Sequence, residues 1–118
     1  MPTIEAKIIH FNDVPEYVNE GGRNQLCRDL LQERDIGHIG VGYNVMKANA
    51  CNGMNTHDRW HQIFVITRGR GSVVLNGVEQ PIEAPCVVVI PAGVEHDVLS
   101  GENQTIEYVY INDFLDHS

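Results

Sequence analysis

Turn signals set the first limit on what this chain can fold into. Glycine, proline and asparagine recur at near-regular short intervals in Arg68-Gly69-Arg70-Gly71, Asn76-Gly77, Glu83-Ala84-Pro85, Pro91-Ala92-Gly93 and Gly101-Glu102-Asn103. The runs around them are short, and most are rich in β-branched residues: Ile63 to Thr67, Ser72 to Leu75, Val78 to Ile82, Cys86 to Ile90, His96 to Ser100 and Gln104 to Ile111. Asn76-Gly77 has the composition of a type I′ hairpin turn. Many short strands punctuated in this way predict an all-β sandwich or a closed barrel, either of which also disposes of exposed sheet edges.

The N-terminal third is less regular. Thr3 to Phe11 alternates loosely and predicts a first strand or arm, broken at Asn12-Asp13-Val14-Pro15. After the turn Asn19-Glu20-Gly21-Gly22, Arg23 to Gln32 fits either a helical face (Leu26, Leu30, Leu31) or strand alternation (Leu26, Arg28, Leu30), and the strand is the preferred reading. From His38 to Ala48, Ile39, Val41, Tyr43 and Val45 share one face, with Gly40 and Gly42 opposite, where close backbone approach or sheet curvature is expected. Tyr43 is expected to pack in the core. Asn49 to Thr56 reads as a loop, and Asp113 to Ser118 as a polar tail.

At 118 residues the chain is long enough to bury one ordinary core, and a single domain spanning 1–118 is expected. Cys27, Cys51 and Cys86 are odd in number and form no close pair, so free thiols in a reducing cytoplasm are expected. No basic region followed by an apolar one opens the sequence, and no run approaches the roughly 18 apolar residues of a membrane span. A net charge of -8 argues against nucleic acid, which requires a basic footprint. Arg59, Arg68 and Arg70 are the local exception, able to draw an acidic substrate toward a site or to stand as solvated turn residues.

The chemistry concentrates in Asn55-Thr56-His57-Asp58-Arg59-Trp60-His61-Gln62 and in Pro91-Ala92-Gly93-Val94-Glu95-His96. Together these stretches resemble the two motifs of the cupins, small double-stranded β-helix (jelly-roll) barrels. The first cupin motif is Gly-x5-His-x-His-x3–4-Glu-x6-Gly; the second is Gly-x5-Pro-x-Gly-x2-His-x3-Asn. Here Asn55 stands at the first histidine, His57 at the second and Gln62 at the glutamate, with Gly69 closing the motif. Pro91, Gly93 and His96 match the second motif, while Pro85 and Ser100 replace its first and last residues. The resemblance covers roughly residues 37–111. Sugar-uronate ketonising cupins are similar in using His-x-His-x4-Gln and a later histidine; Asn55 departs from that pattern as well.

The resemblance implies a metal site at Asn55, His57, Gln62 and His96. Two imidazoles and two amides suit a catalytic zinc, manganese, iron or nickel ion with open positions better than a structural one. Unbroken strand alternation would instead give the triad His57, His61 and His96. The family pattern places a loop before Gln62 and turns His61 outward or to the barrel rim. His10, His38 and His117 read as surface or packing residues. On the last strand, Glu107 alternates with Tyr108 and Tyr110. If its face is internal, Glu107 is a candidate general acid or base; if the other face is, the tyrosines line the pocket. The expected function is a metal-dependent enzyme isomerising or tautomerising a small oxygenated, sugar-acid-like molecule. A cupin dioxygenase or lyase, a non-catalytic binding module, and a metal-free site using His57 and His96 as acid and base are the alternatives. The resemblance also implies a homodimer, with Thr3 to Phe11 adding a strand to a neighbour.

Overall fold

The computed structural model describes residues 5–115 and is a closed barrel of eight strands. In chain order these are β1 (Tyr17–Val18), β2 (Arg23–Leu31), β3 (Ile39–Cys51), β4 (Trp60–Leu75), β5 (Val78–Glu83), β6 (Cys86–Ile90), β7 (His96–Leu99) and β8 (Ile106–Phe114). The cupin jelly roll expected from the motifs is the fold observed. The Asn76-Gly77 hairpin has both turn residues at positive φ (47° and 83°), as a type I′ turn requires.

β4 organises the barrel. Its first half pairs with β6 through Gln62–Ile66 and with β8 through Trp60–Gly69; its second half pairs with β5 and β7. The sequence predicts two strands separated by a turn at Arg68–Gly71, but β4 runs unbroken through that stretch. The glycines make a corner rather than a reversal, with a register shift against β8 between Ile66 and Arg68 and Gly69 at φ +85°. A strand that turns a barrel corner serves both walls, and glycine is the residue that permits it.

Three further expectations change. Residues 5–10 form no strand; a 3₁₀ turn at Phe11–Asp13 leads to β1, which pairs with β2. The remainder of the Thr3–Phe11 arm and His117 lie outside the described residues. β3 extends three residues beyond the predicted Ala48, and Asp113 and Phe114 belong to β8. Finally, the Ile39-Val41-Tyr43-Val45 stripe faces outward. Tyr43 packs on Phe11 on the outer surface, with ring centroids 4.8 Å apart, instead of filling the core.

The interior is built from the alternate residues. Met46, Phe64, Ile66, Val73, Val88, Ile90, Val98, Ile106 and Tyr108 form one buried cluster. Toward the end of the barrel near Trp60 the inward positions turn polar, with Asn44, Gln62 and His96 all buried. That change of lining, within the same alternation, creates the site.

Candidate functional site

The loop leaving β3 carries Asn55 and His57, and the start of β7 carries His96. A two-bond bridge locks them together: Asn55 N donates to His96 O (2.9 Å) and His96 N to Asn55 O (2.8 Å). Gly93 N donates to His57 O (2.8 Å), joining the loop to the Pro91-Ala92-Gly93 turn. The Asp97 carboxylate anchors the loop further, accepting from Asn52 N (3.1 Å) and Gly53 N (2.9 Å). The two motif stretches therefore lie side by side, with the His57 and His96 rings 5.0 Å apart.

Each imidazole is held in a defined state. His96 is fully buried, and its Nδ1 faces Val94 O at 2.9 Å. A carbonyl can only accept, so Nδ1 carries the proton and Nε2 keeps its lone pair. That Nε2 has no partner. His57 stacks on Trp60, with centroids 4.4 Å apart. Burial lowers its pKa, repulsion from His96 adds to the shift, and Asp58 opposes it. His57 is thus neutral at physiological pH.

Gln62, 9% exposed, donates Nε2–H to Asn112 Oδ1 at 2.8 Å, which leaves its Oε1 unpartnered. Asn44 Oδ1 and Trp60 Nε1 are also buried without partners. Buried polar atoms are normally bonded, so four orphans in one region point to a ligand. A cavity of about 250 Å³ lies among Asn44, Asn55, His57, Trp60 and Gln62, with Phe64, Tyr108 and Tyr110 supplying aromatic wall. His96 sits behind it, against the rings of His57 and Phe64.

The remaining candidates lie elsewhere. His61 is exposed, and its Nδ1 accepts from Ala92 N at 2.9 Å, so the triad His57, His61 and His96 does not form. β4 begins at Trp60, after the loop, and turns Gln62, Phe64 and Ile66 inward. Glu107 is not at the cavity. Its carboxylate takes the Tyr43 hydroxyl bond (2.6 Å) and pairs with Arg68 (3.6 Å) on the outer face, while Tyr108 and Tyr110 face in. The general acid or base expected at Glu107 loses its geometric basis. The Tyr43 phenol, buried and bonded to Glu107, is pushed up to about 12.

No arginine lines the cavity. Arg59 pairs with Glu33 (3.4 Å), Arg68 with Glu107, and Arg70 borders a separate surface hollow with Glu83. Of the two readings of these arginines, solvated residues away from the site is the one their positions fit. Asn55 reaches the cavity edge with its Nδ2 on Gly53 O (3.0 Å).

Tyr108 and Tyr110 line the cavity, the second of the two alternatives for the last strand; the wall residues Asn44 and Asn112 carry no sequence signal beyond the period of two on β3 and β8. Among the described residues no cluster of three His, Cys, Asp or Glu side chains is placed to hold a metal. The donors present are two imidazoles and an amide oxygen. The free lone pairs of His96 Nε2 and Gln62 Oε1 fit an exchangeable divalent ion that keeps positions for water or substrate.

A pH dependence follows from His57. A ligand nitrogen must be unprotonated, and the His57 pKa is depressed below its ordinary 6.5. The pH at which divalent cation affinity is half lost should therefore lie below 6.5. Isothermal titration with zinc at stepped pH measures this; a midpoint above 6.5 would contradict the depressed value.

A family model, the AraC-like ligand binding domain, matches residues 47–112, more than half of the 118 residues. Several solved structures share the fold. The polyketide cyclase RemF from Streptomyces resistomycificus superposes with a TM-score of 0.81 at 19% identity, over 95% of this chain and 81% of that one. A predicted oxalate decarboxylase from Thermotoga maritima gives 0.83 at 19%, over 92% and 100%. A cupin-2 domain from Rhodospirillum rubrum gives 0.75 at 12%, over 100% and 80%. No curated protein matches the sequence.

Proposed function

We propose that this chain, which belongs to the AraC-like ligand-binding domain family, is a small cupin that binds an oxygenated small molecule in the His57 cavity and isomerises or tautomerises it with the help of a divalent cation. The observation that carries the reading is the pair of orphaned lone pairs, His96 Nε2 and Gln62 Oε1, on buried side chains beside the neutral His57 imidazole. In this reading His57, His96 and Gln62 hold the ion, and Asn55, whose Nδ2 is engaged by Gly53 O, offers Oδ1 as a fourth contact. Zinc, manganese, iron and nickel all suit such donors.

Bound there, the ion would supply a Lewis acid for a carbonyl or enol oxygen. The chain's own residues do the rest. Val94 O fixes the His96 tautomer, and Asn112 fixes the Gln62 amide so that oxygen and not nitrogen faces in. Trp60, Phe64 and Tyr108 supply aromatic surface to the inner wall. The displacement of Glu107 to the outer face favours a second reading, a ligand-binding cupin without turnover, because it removes the one carboxylate proposed from sequence to move a proton. A metal-free site using His57 and His96 as acid and base is the third.

Titration of protein purified without a histidine tag tests the cation site. Gln62→Glu should tighten zinc and manganese about tenfold, because it adds a charge beside the ion at little change in shape, and Asn55→His should tighten them too. His61→Ala should leave affinity unchanged. Strong loss on His61→Ala with indifference to Gln62→Glu would sink the assignment.

A homodimer in a reducing, cytoplasmic setting completes the proposal. Among the described residues β6 pairs only with β4 and exposes Val87 and Val89 on its outer face, segment 5–10 exposes Ile8, and Cys27, Cys51 and Cys86 are unpaired thiols. An extended segment can add to a singly paired strand on a second copy. Light scattering at micromolar concentration should give twice the 13.2 kDa chain mass; the mass of a single chain would refute it.

A further inference from the structure

Strands β2, β3 and β8 build a second polar group on the cavity wall, separate from the proposed cation ligands. Asp29, Gly42 and Tyr110 are register partners in one row across the three strands. Gly42 is what lets the row work. A Cβ there would lie 2.0 Å from Tyr110 Cζ, so the phenol ring occupies the space a side chain would fill. The ring crosses β3 and delivers its hydroxyl to Asp29 Oδ1 at 2.8 Å. Tyr17 on β1 donates to the same oxygen at 2.7 Å.

Both phenols have therefore given their single proton to Asp29. What their oxygens retain is acceptor capacity only. Burial, and after it the bond to Asp29, raises the pKa of both, so the protons stay in place across physiological pH. Asn44 Oδ1, buried and unpartnered, is a third acceptor on this wall. Tyr17, Asn44 and Tyr110 all line the cavity, and no lysine or arginine does. Trp60 Nε1, the one orphaned buried donor among the described residues, belongs to the His57 end.

We propose that Asn44, Tyr110 and Tyr17, backed by Asp29, form a subsite that takes hydrogen-bond donors and rejects carboxylates. Its ligand presents hydroxyl or ammonium groups to this wall. The subsite deepens the reading of the cavity as the ligand site, and it corrects the substrate from an acid to a donor-bearing, non-anionic group at this end.

The test uses the full chain, kept free of metal by a chelator, with three probes of matched size: ethylene glycol, ethylammonium and acetate. The Asn44 side-chain amide resonances report binding. Glycol or ethylammonium should shift them saturably, and which of the two binds more tightly separates hydroxyl from ammonium recognition. Acetate should have no effect. Tyr110→Phe should weaken the best probe about tenfold, the loss expected for one hydrogen bond, with Tyr17→Phe as a second variant should Tyr110→Phe lose its dispersed spectrum. Acetate as the strongest ligand, silence from all three probes, or unchanged binding in the phenylalanine variant would each overturn the subsite. Because no metal is present, these outcomes are independent of the cation site. Loss of the latter in the Gln62 titrations leaves the subsite standing, and the reverse also holds.

Discussion

Gly69→Ala is expected to cost about 4 kcal/mol and to lower the melting temperature by roughly 15 °C. Two effects add. Gly69 sits at φ +85°, where a side chain costs about 1–2 kcal/mol. A Cβ there would also lie 1.7 Å from Thr105 O, an overlap no rotamer relieves because both atoms are fixed by backbone. β4 and the segment before β8 would have to part, straining Arg70 N to Thr105 O (3.2 Å) and Ala84 N to Gly69 O (2.9 Å). Gly77→Ala is the control. Gly77 has a nearly equal φ of +83° but nothing within 4 Å of its Cβ, so it should show the conformational cost alone. Thermal denaturation of the two variants isolates the clash; equal losses would mean that the corner at Gly69 is soft.

That corner also shows where sequence reading stops. The glycine punctuation makes the all-β class legible, because helices cannot fit between turns so close together, and the resemblance to the two cupin motifs adds the jelly roll. It could not say whether Arg68–Gly71 reverses the chain or bends it, since glycine serves either geometry and only the partners of β4 decide. The same limit applies to faces. Alternation divides β8 into Glu107 and Tyr108 sets, and β3 into Tyr43 and Asn44 sets, but it does not say which set is inside. The usual guide, apolar inward, fails when the barrel holds a polar cavity and its outer face is covered in part by the chain's own N-terminal segment, as Phe11 covers Tyr43. For that reason the core position expected for Tyr43 is not the one it takes, and alternation alone leaves the face of Glu107 open.

The histidine-rich loop behaved differently. Strand periodicity alone puts His57 and His61 on one face, whereas the motif spacing places a loop between them and turns Gln62 inward. The structure has that loop, and the reason is local. Asn55 is tied by backbone bonds to His96, His57 O accepts from Gly93 N, and the next regular pairing starts only at Trp60 with Phe114. The arginines could not be placed in this way. Their partners, Glu33 and Glu107, lie 26 and 39 residues away from Arg59 and Arg68 in the chain, and no spacing rule connects them.

His96→Ala is expected to abolish divalent cation binding, with a loss exceeding the roughly 10–100-fold typical of removing a group that only supports a ligand. His96 is fully buried, its Nδ1–H is committed to Val94 O, and its Nε2 is the one lone pair on the ring left to offer. No neighbour can replace it. Gln62 Oε1 and Asn55 Oδ1 are amide oxygens and weaker ligands than an imidazole nitrogen, and the Nδ1 of His61 is taken by Ala92 N. His57→Ala should behave alike, for the same lack of a substitute, while His61→Ala should match the parent. Zinc and manganese titrations, read beside the metal content of the parent protein, separate three cases. Loss confined to His57→Ala and His96→Ala supports the cation site. Retention of tight binding in His96→Ala removes it. A parent that holds no metal and takes up none leaves the paired imidazoles as an acid–base pair, in which the free Nε2 of His96 would accept a proton from the ligand directly.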